Sequence, residues 1–152
     1  MKLDPMRGVF QGLDISASGL KAELQRSEVV AANLANMHDT GKPGDLPYQR
    51  RSVVFQETLD RVSSVAGERG GDSLSAGVEI REVAVDQTGF RKFFDPSHAD
   101  ADEKGWVLGS NVDMFKEMVD LVVIERSYEA NLAAMKTYRT MLQNTVTNIG
   151  RS

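Results

Sequence analysis

From residue 111 to residue 149 the chain contains neither glycine nor proline, and a stretch that long without either punctuator reads as one helix. Along it Met114, Met118, Leu121, Glu125, Tyr128, Leu132, Met135, Arg139, Leu142, Val146 and Ile149 recur in alternating steps of four and three. This is the repeat of a coiled-coil seam, interrupted only by Glu125 and Arg139, for which pairing with charges on neighbouring helices and simple exposure are both open. Ser110 or Asn111 is suited to cap the first turn, Asp113 to meet the positive end of the helix dipole, and Gly150 to end the pattern. Such a helix has about 38 residues and runs about 57 Å at 1.5 Å per residue. A globular domain of 152 residues is narrower than that.

A second amphipathic helix is expected at the other end. Asp4-Pro5 reads as a cap followed by a first-turn proline, and Phe10, Leu13, Ala17, Leu20, Leu24, Ser27, Ala31 and Leu34 repeat in steps of three and four. Gly8, Gly12 and Gly19 each weaken an isolated helix by about 0.8–1 kcal/mol relative to alanine, so its first half needs something to pack on. Between the helices, 48–56, 78–85, 89–94 and 105–108 are rich in β-branched and aromatic residues and read as short strands, with loops at 39–47 and 63–77. The expected fold class is therefore α+β, mainly α. An N-terminal axial helix lies within 1–37, a linker and small β-rich region occupy 38–110, and a C-terminal axial helix within 111–152 pairs with the first. The seam residues expected to mesh are Leu13, Leu20 and Leu24 with Leu121, Leu132, Met135, Leu142 and Val146.

Several function classes are excluded by composition. A net charge of −4 with no run of Lys or Arg lacks the basic footprint of a nucleic-acid binder. Zero cysteines removes disulfides, thiolate metal sites and thiol catalysis. The longest apolar run, Leu121-Val122-Val123-Ile124, is far short of the roughly 20 residues of a transmembrane helix. The first residues, with Lys2 and Arg7 but no continuous apolar stretch, do not have the pattern of a secretory signal, so any export takes another route. Asp95, His98, Asp100, Asp102 and Glu103 are the densest group of possible ligands, and 100–105 imitates a calcium loop. Lys104 stands at its fifth position and Asn111 at its twelfth, so a solvated turn is expected instead. No nucleophile elbow, phosphate-cradling loop or zinc-protease motif is present, and no enzymatic activity, metal or cofactor is expected. Pairing the helices buries one seam of each, which leaves Phe115, Val119, Val122, Ile124 and Tyr138 to be covered by neighbouring copies or sister proteins, at about 1.5–3 kcal/mol per buried side chain.

Ala32-Asn33-Leu34-Ala35-Asn36 followed by Pro47-Tyr48-Gln49-Arg50-Arg51 resembles the N-terminal signature of the bacterial flagellar rod, hook and hook-associated axial proteins. Asn111-Val112-Asp113, Glu117-Met118-Val119 and Arg126-Ser127-Tyr128-Glu129-Ala130-Asn131 resemble their C-terminal signature. Phe90-Arg91, Asp95-Pro96-Ser97-His98, Ala101-Asp102 and Gly105-Trp106-Val107 look like the middle of the family's proximal-rod member, with Ala99 in place of its proline and Trp106 in place of its tyrosine. The resemblance covers nearly the whole chain.

It implies a structural subunit of the basal-body rod that transmits motor torque in motility. Such a subunit is exported without a cleaved signal by the flagellar type III apparatus and assembles in the periplasm. Its implied partners are other copies of itself, sister rod proteins and the adaptor protein at the export gate. The implied motif and assembly residues are Asn33, Leu34, Ala35, Asn36, Tyr48, Asn111, Val112, Glu117, Met118, Val119, Arg126, Tyr128 and Asn131. Two readings stay open for Asn33, Asn36 and Asn131, buried amides that set inter-subunit register and amides on solvated faces, whereas Asn144 and Asn148 are expected on solvated faces. Phe55 and Leu59 loosely resemble a hydrophobic export-gate pattern, a spacing that core packing also produces. Two other readings stay open, another rod paralogue and a stand-alone dimeric coiled-coil adaptor. Leu121→Asp is expected to permit export and block assembly, because it sets a charge in the seam; normal motility with that substitution would overturn the seam assignment.

Overall fold

The computed structural model describes residues 5–42, 44–60 and 74–149. Two long helices, α1 (Pro5–Ala35) and α2 (Met114–Ile149), flank five strands: β1 (Thr40–Gly41), β2 (Arg51–Asp60), β3 (Leu74–Val85), β4 (Arg91–Phe94) and β5 (Trp106–Gly109). The fold is α+β and mainly α. β1, β5 and β4 form an antiparallel sheet in that order, with Thr40 opposite Gly109 and Lys92 opposite Leu108, while β2 pairs with β3.

Several boundaries differ from those read in the sequence. β1 lies inside the segment expected as a loop at 39–47, because two residues are too few to carry an alternation and the strand exists only by pairing with β5. β3 begins at Leu74, so 74–77 of the other expected loop are strand, pairing with β2 prevailing over weak local propensity. The rest of that loop, 63–73, lies outside the described residues, as do Asp4 and Gly150, the expected cap and stop. The cap of α2 is Asp113, whose Oδ1 accepts the amides of Phe115 (2.9 Å) and Lys116 (3.4 Å). Ser110 and Asn111 are engaged elsewhere.

The chain divides into two compact units that cut across the three expected segments, because each helix contributes to both. One unit comprises Met1–Leu24, Phe55–Arg81 and Glu125–Ser152. Here the buried positions of α1 among the described residues are Gly12, Ser16, Gly19 and Ala22. Gly12 faces the Tyr138 ring so closely that an added Cβ would fall inside the ring's van der Waals envelope, and a Cβ on Gly19 would lie 2.8 Å from the Asn131 side chain. Seven residues forward on α1 answer seven back on α2, so the helices run antiparallel here. The Ser18 hydroxyl donates to the Ile15 carbonyl (2.7 Å) and accepts the Val78 amide (3.0 Å), tying β3 to the helix.

The second unit comprises Gln25–Val54 and Glu82–Ile124. Its buried apolar residues are Val30, Val107, Val112 and Ile124. The β4–β5 pair contributes an edge-to-face contact of Phe94 on Trp106 at 5.4 Å.

The line turned inward differs from the seam read in the sequence. On α1 it is the small-residue line through Gly12, Ser16, Gly19 and Ala22 and on through Val30 and Asn33. Leu13 and Leu20 are only half-buried and Leu24 is 56% exposed. On α2 Glu117 and Ile124 are buried and Asn131 and Tyr138 half-buried, a line one residue, or about 100°, from the expected one. Leu121, Leu132, Met135 and Leu142 flank it half-buried, whereas Val146 is 60% exposed and Glu125 and Arg139 are exposed. The physical reason is bulk: residues with little or no side chain allow a ring such as that of Tyr138 to reach the α1 backbone, which leucines would hold off.

Gly41 is buried in β1, and a Cβ there would lie 2.5 Å from the Asp45 carbonyl oxygen and 2.8 Å from the Pro47 nitrogen. Both obstacles are backbone and cannot swing aside. Gly41→Ala is therefore expected to cost about 1–3 kcal/mol in urea unfolding, whereas Gly89→Ala, which meets nothing within 4 Å, leaves the midpoint nearly unchanged.

Candidate functional site

Asn33 sits in the last turn of α1 and its side chain is fully buried. After the helix ends, the Asp39 amide donates to the Asn36 carbonyl (3.1 Å) and turns the chain. The Tyr48 amide then donates to Asp39 Oδ2 at 2.6 Å, bringing residues 48–51 back alongside Asn33.

All four hydrogen-bonding positions of the Asn33 amide are engaged. Its Nδ2 donates to the Arg51 carbonyl (2.8 Å) and to Glu117 Oε2 (2.9 Å), and its Oδ1 accepts the Arg51 amide (2.9 Å) and the Tyr48 hydroxyl (3.0 Å). The Arg51 guanidinium lies 5.5 Å over the Tyr48 ring centroid.

Glu117, on the first turns of α2, is likewise fully buried. An isolated carboxylate there would be prohibitively costly. Its Oε1 accepts Arg50 Nε at 2.6 Å, and Arg50 Nη2 donates to Asp120 Oδ2 at 3.0 Å. Asp120 Oδ1 in turn receives Arg26 Nη2 at 3.3 Å, so a charge chain joins both helices to the head of β2.

Asn111 closes the opposite side. Its Oδ1 accepts the Arg50 amide (2.7 Å), its Nδ2 donates to the carbonyls of Asp86 (3.2 Å) and Thr88 (3.0 Å), and the Asp86 amide donates back to the Arg50 carbonyl (2.8 Å). The Thr88 hydroxyl and amide both donate to the Asp86 carboxylate. With the Arg50 charge they hold it below the ordinary aspartate value, against the opposing effect of burial.

The structure thus gathers four of the motif residues, Asn33, Tyr48, Asn111 and Glu117, into one network. Val112 is buried in the same unit. Leu34 is half-buried, while Ala35, Asn36, Met118, Val119, Arg126 and Tyr128 are exposed and take no part in the network. The Asn36 amide only donates back to the Ala32 carbonyl. Asn131 belongs to the other unit, against Gly19. Asn144 and Asn148 are exposed, and so is Phe55, while the Leu59 side chain lies outside the described residues. Arg50, Asp120, Arg26 and Asp86 carry the network's charge and were not singled out as site residues. Arg50 stands inside the quoted motif, and Asp120, three residues after Glu117, shares its helix face, which is the signal that could have found it.

The acidic cluster is built of turns. Asp102 Oδ1 accepts the amides of Trp106 (2.9 Å) and Lys104 (2.8 Å), and Asp95 Oδ1 accepts the Ser97 hydroxyl (2.6 Å) and amide (3.1 Å). These bonds hold both carboxyls below the usual aspartate value. Asp100 Oδ2 accepts the Thr40 hydroxyl at 2.7 Å. Among the described residues no three His, Asp or Glu side chains converge to hold a metal ion.

The network locks the end of α1, the head of β2 and the start of α2 in one register. Asn33→Ala strands the Arg51 amide and carbonyl and half of Glu117, and is expected to cost about 2–4 kcal/mol in urea unfolding. Glu117→Ala, which leaves Arg50 without its buried partner, costs about 3–5 kcal/mol. The double variant should cost clearly less than the sum, because the two side chains share one bond; full additivity would show that they act independently.

Comparison with known proteins bears on the same residues. Residues 13–41 match the family model described as flagella basal body rod protein, and residues 103–149 match that described as flagellar basal body rod FlgEFG protein C-terminal. The chain is 40% identical over 139 residues to the flagellar basal-body rod protein FlgC of Bacillus subtilis, covering 88% of this chain and 93% of the relative. It is 37% identical to that of Aquifex aeolicus, covering 92% and 96%, and 36% identical to that of Escherichia coli O157:H7, covering 88% and 92%. With such identity over nearly the full length of these relatives, whose two terminal signatures meet here at Asn33 and Glu117, the chain belongs to the FlgC family of flagellar basal-body rod proteins.

Proposed function

We propose that this chain is a structural, non-enzymatic subunit of the proximal rod of the bacterial flagellar basal body, where it assembles with copies of itself and with sister rod proteins to carry torque. One observation carries the reading. The two matched segments, 13–41 and 103–149, are tied to each other by the buried Asn33 to Glu117 hydrogen bond, which is the work of a structural element. Torque must pass between subunits over many lateral contacts, and apolar residues exposed along α2, among them Phe115, Val119 and Val122, are suited to make them.

On this reading 1–37 and 111–152 are the axial segments and 38–110 the outward β-rich part, with Met118, Val119, Arg126 and Tyr128 available to neighbours. No described helix is long and apolar enough to cross a membrane. The chain reaches the periplasm through the flagellar type III export apparatus without a cleaved signal, and its lowest copies meet the adaptor protein at the export gate. Mass spectrometry of purified, detergent-washed hook–basal bodies from the source cell tests the proposal. Peptides of this chain at fixed stoichiometry with other rod proteins are expected. Their absence from intact basal bodies of a motile cell would overturn it and favour the stand-alone adaptor.

A further inference from the structure

The segment between β4 and β5 is held by its own turns. The His98 amide donates to the Asp95 carbonyl (3.2 Å) and the Ala101 amide to the His98 carbonyl (3.1 Å), which fixes the backbone on either side of His98. Its half-buried ring stands edge-on to the Phe93 ring at 6.3 Å. Nδ1 of that ring accepts the Asp100 amide at 3.1 Å. An imidazole nitrogen that accepts an N–H carries no proton, so in this arrangement His98 is neutral and its proton sits on Nε2. The Asp100 carboxylate stands beside the same nitrogen. Its Oδ2 lies 3.9 Å from Nδ1 and accepts the Thr40 hydroxyl at 2.7 Å. One oxygen thus ties β1 to the turn and also faces the atom at which His98 gains a proton.

The geometry points to a proton-driven switch in which His98 exchanges one bond to Asp100 for another. When Nδ1 takes a proton from solvent it becomes a donor, and the Asp100 amide can no longer bond to it. The Asp100 carboxylate closes on it instead, and the oxygen that moves is the one holding Thr40. Imidazole is the side chain that changes charge between pH 5 and 8, so acid in that range loosens the tie between β1 and the turn. The switch is a property of the lone chain and stands apart from the rod assignment.

Charged groups surround the ring on each side. On its own turn Asp95 acts on His98, but its Oδ1 is committed to the Ser97 hydroxyl (2.6 Å) and amide (3.1 Å), which leaves Asp100 as the carboxylate that can turn. Asp102, next along, caps the Lys104 and Trp106 amides. β4 presents the uncharged Phe93 ring, and Arg91, Lys92 and His38 share a depression with it, where their positive charge opposes proton uptake. Asp39 lines the same depression with Oδ2 bonded to the Tyr48 amide.

The chain has two histidines, so nitrogen-15 NMR of the full-length protein from pH 8 to pH 5 resolves each ring, with His38→Gln to assign them. At pH 8 the His98 proton is expected on Nε2. On acidification the Asp100 amide resonance should move with the midpoint of the His98 ring. Its protection from hydrogen exchange, corrected for the intrinsic effect of pH, should fall about tenfold as one bond is lost. In His98→Gln the Asp100 amide should stay still over the range. Thr40→Val frees the shared oxygen and should raise the His98 midpoint, whereas Asp100→Asn removes the anion that receives the proton's charge and should lower it.

A His98 proton on Nδ1 at pH 8 overturns the switch. So does an Asp100 amide that stays still while His98 titrates, a result that needs no variant. A midpoint indifferent to either Thr40→Val or Asp100→Asn, in chains whose circular dichroism matches the parent, overturns the exchange of partners at the shared oxygen.

Discussion

A carboxylate with no access to water sets the terms for the second unit. Glu117 is tolerable only if its charge is matched and its oxygens are bonded, and both conditions are met by groups from distant parts of the chain: Arg50 at the head of β2 and Asn33 at the end of α1. Because the Asn33 amide has spent both donors and both acceptors, neither it nor Glu117 can shift alone without orphaning a buried group. The path of the 36–50 connection follows from this, since Tyr48 and Arg51 must return to Asn33. So does the employment of Asn111 on Arg50, Asp86 and Thr88, which leaves Asp113 to cap α2.

The remaining architecture is arranged by size. Where the helices approach in the first unit, α1 offers Gly12, Ser16 and Gly19, residues that cost helix propensity in isolation. They recover it by admitting Tyr138 and Asn131 to contact distance. The larger apolar residues of α1, Phe10 and Leu24 among them, then lie outside. A pairing built on small residues leaves a helix with a second, bulkier face to present to something else.

Both helices were legible because the absence of Gly and Pro over 111–149 and the periodicity of 10–34 are strong local signals, and four strands were legible from their β-branched and aromatic content. The face turned inward was not. Periodicity ranks positions by hydrophobicity, and the inward line runs through Gly12, Gly19, Asn33, Glu117 and Asn131, which such a ranking discards. Among the site residues, Asn33, Tyr48, Asn111 and Glu117 were found through resemblance to a family. Nothing local marks an asparagine as a four-bond hub, because its partners stand 15 to 84 residues away in sequence. Arg50 escaped for a related reason: beside Arg51 it looks like one of two equivalent surface charges, and only the fold shows that one buries its side chain while the other lies over Tyr48.

The buried apolar residues of the described chain are few, Ala22, Val30, Val107, Val112 and Ile124, while Phe10, Phe94, Trp106 and Phe115 are among the larger ones that stand exposed. Apolar hydration dominates the heat capacity of a protein, so every apolar face that is covered lowers it. Whatever covers those faces takes apolar surface out of water, and that part of the association carries a negative heat-capacity change. Hydrophobic stabilisation of that kind weakens on cooling, so cold acts on joints made through these faces in a way it does not act on the hydrogen bonds around Asn33.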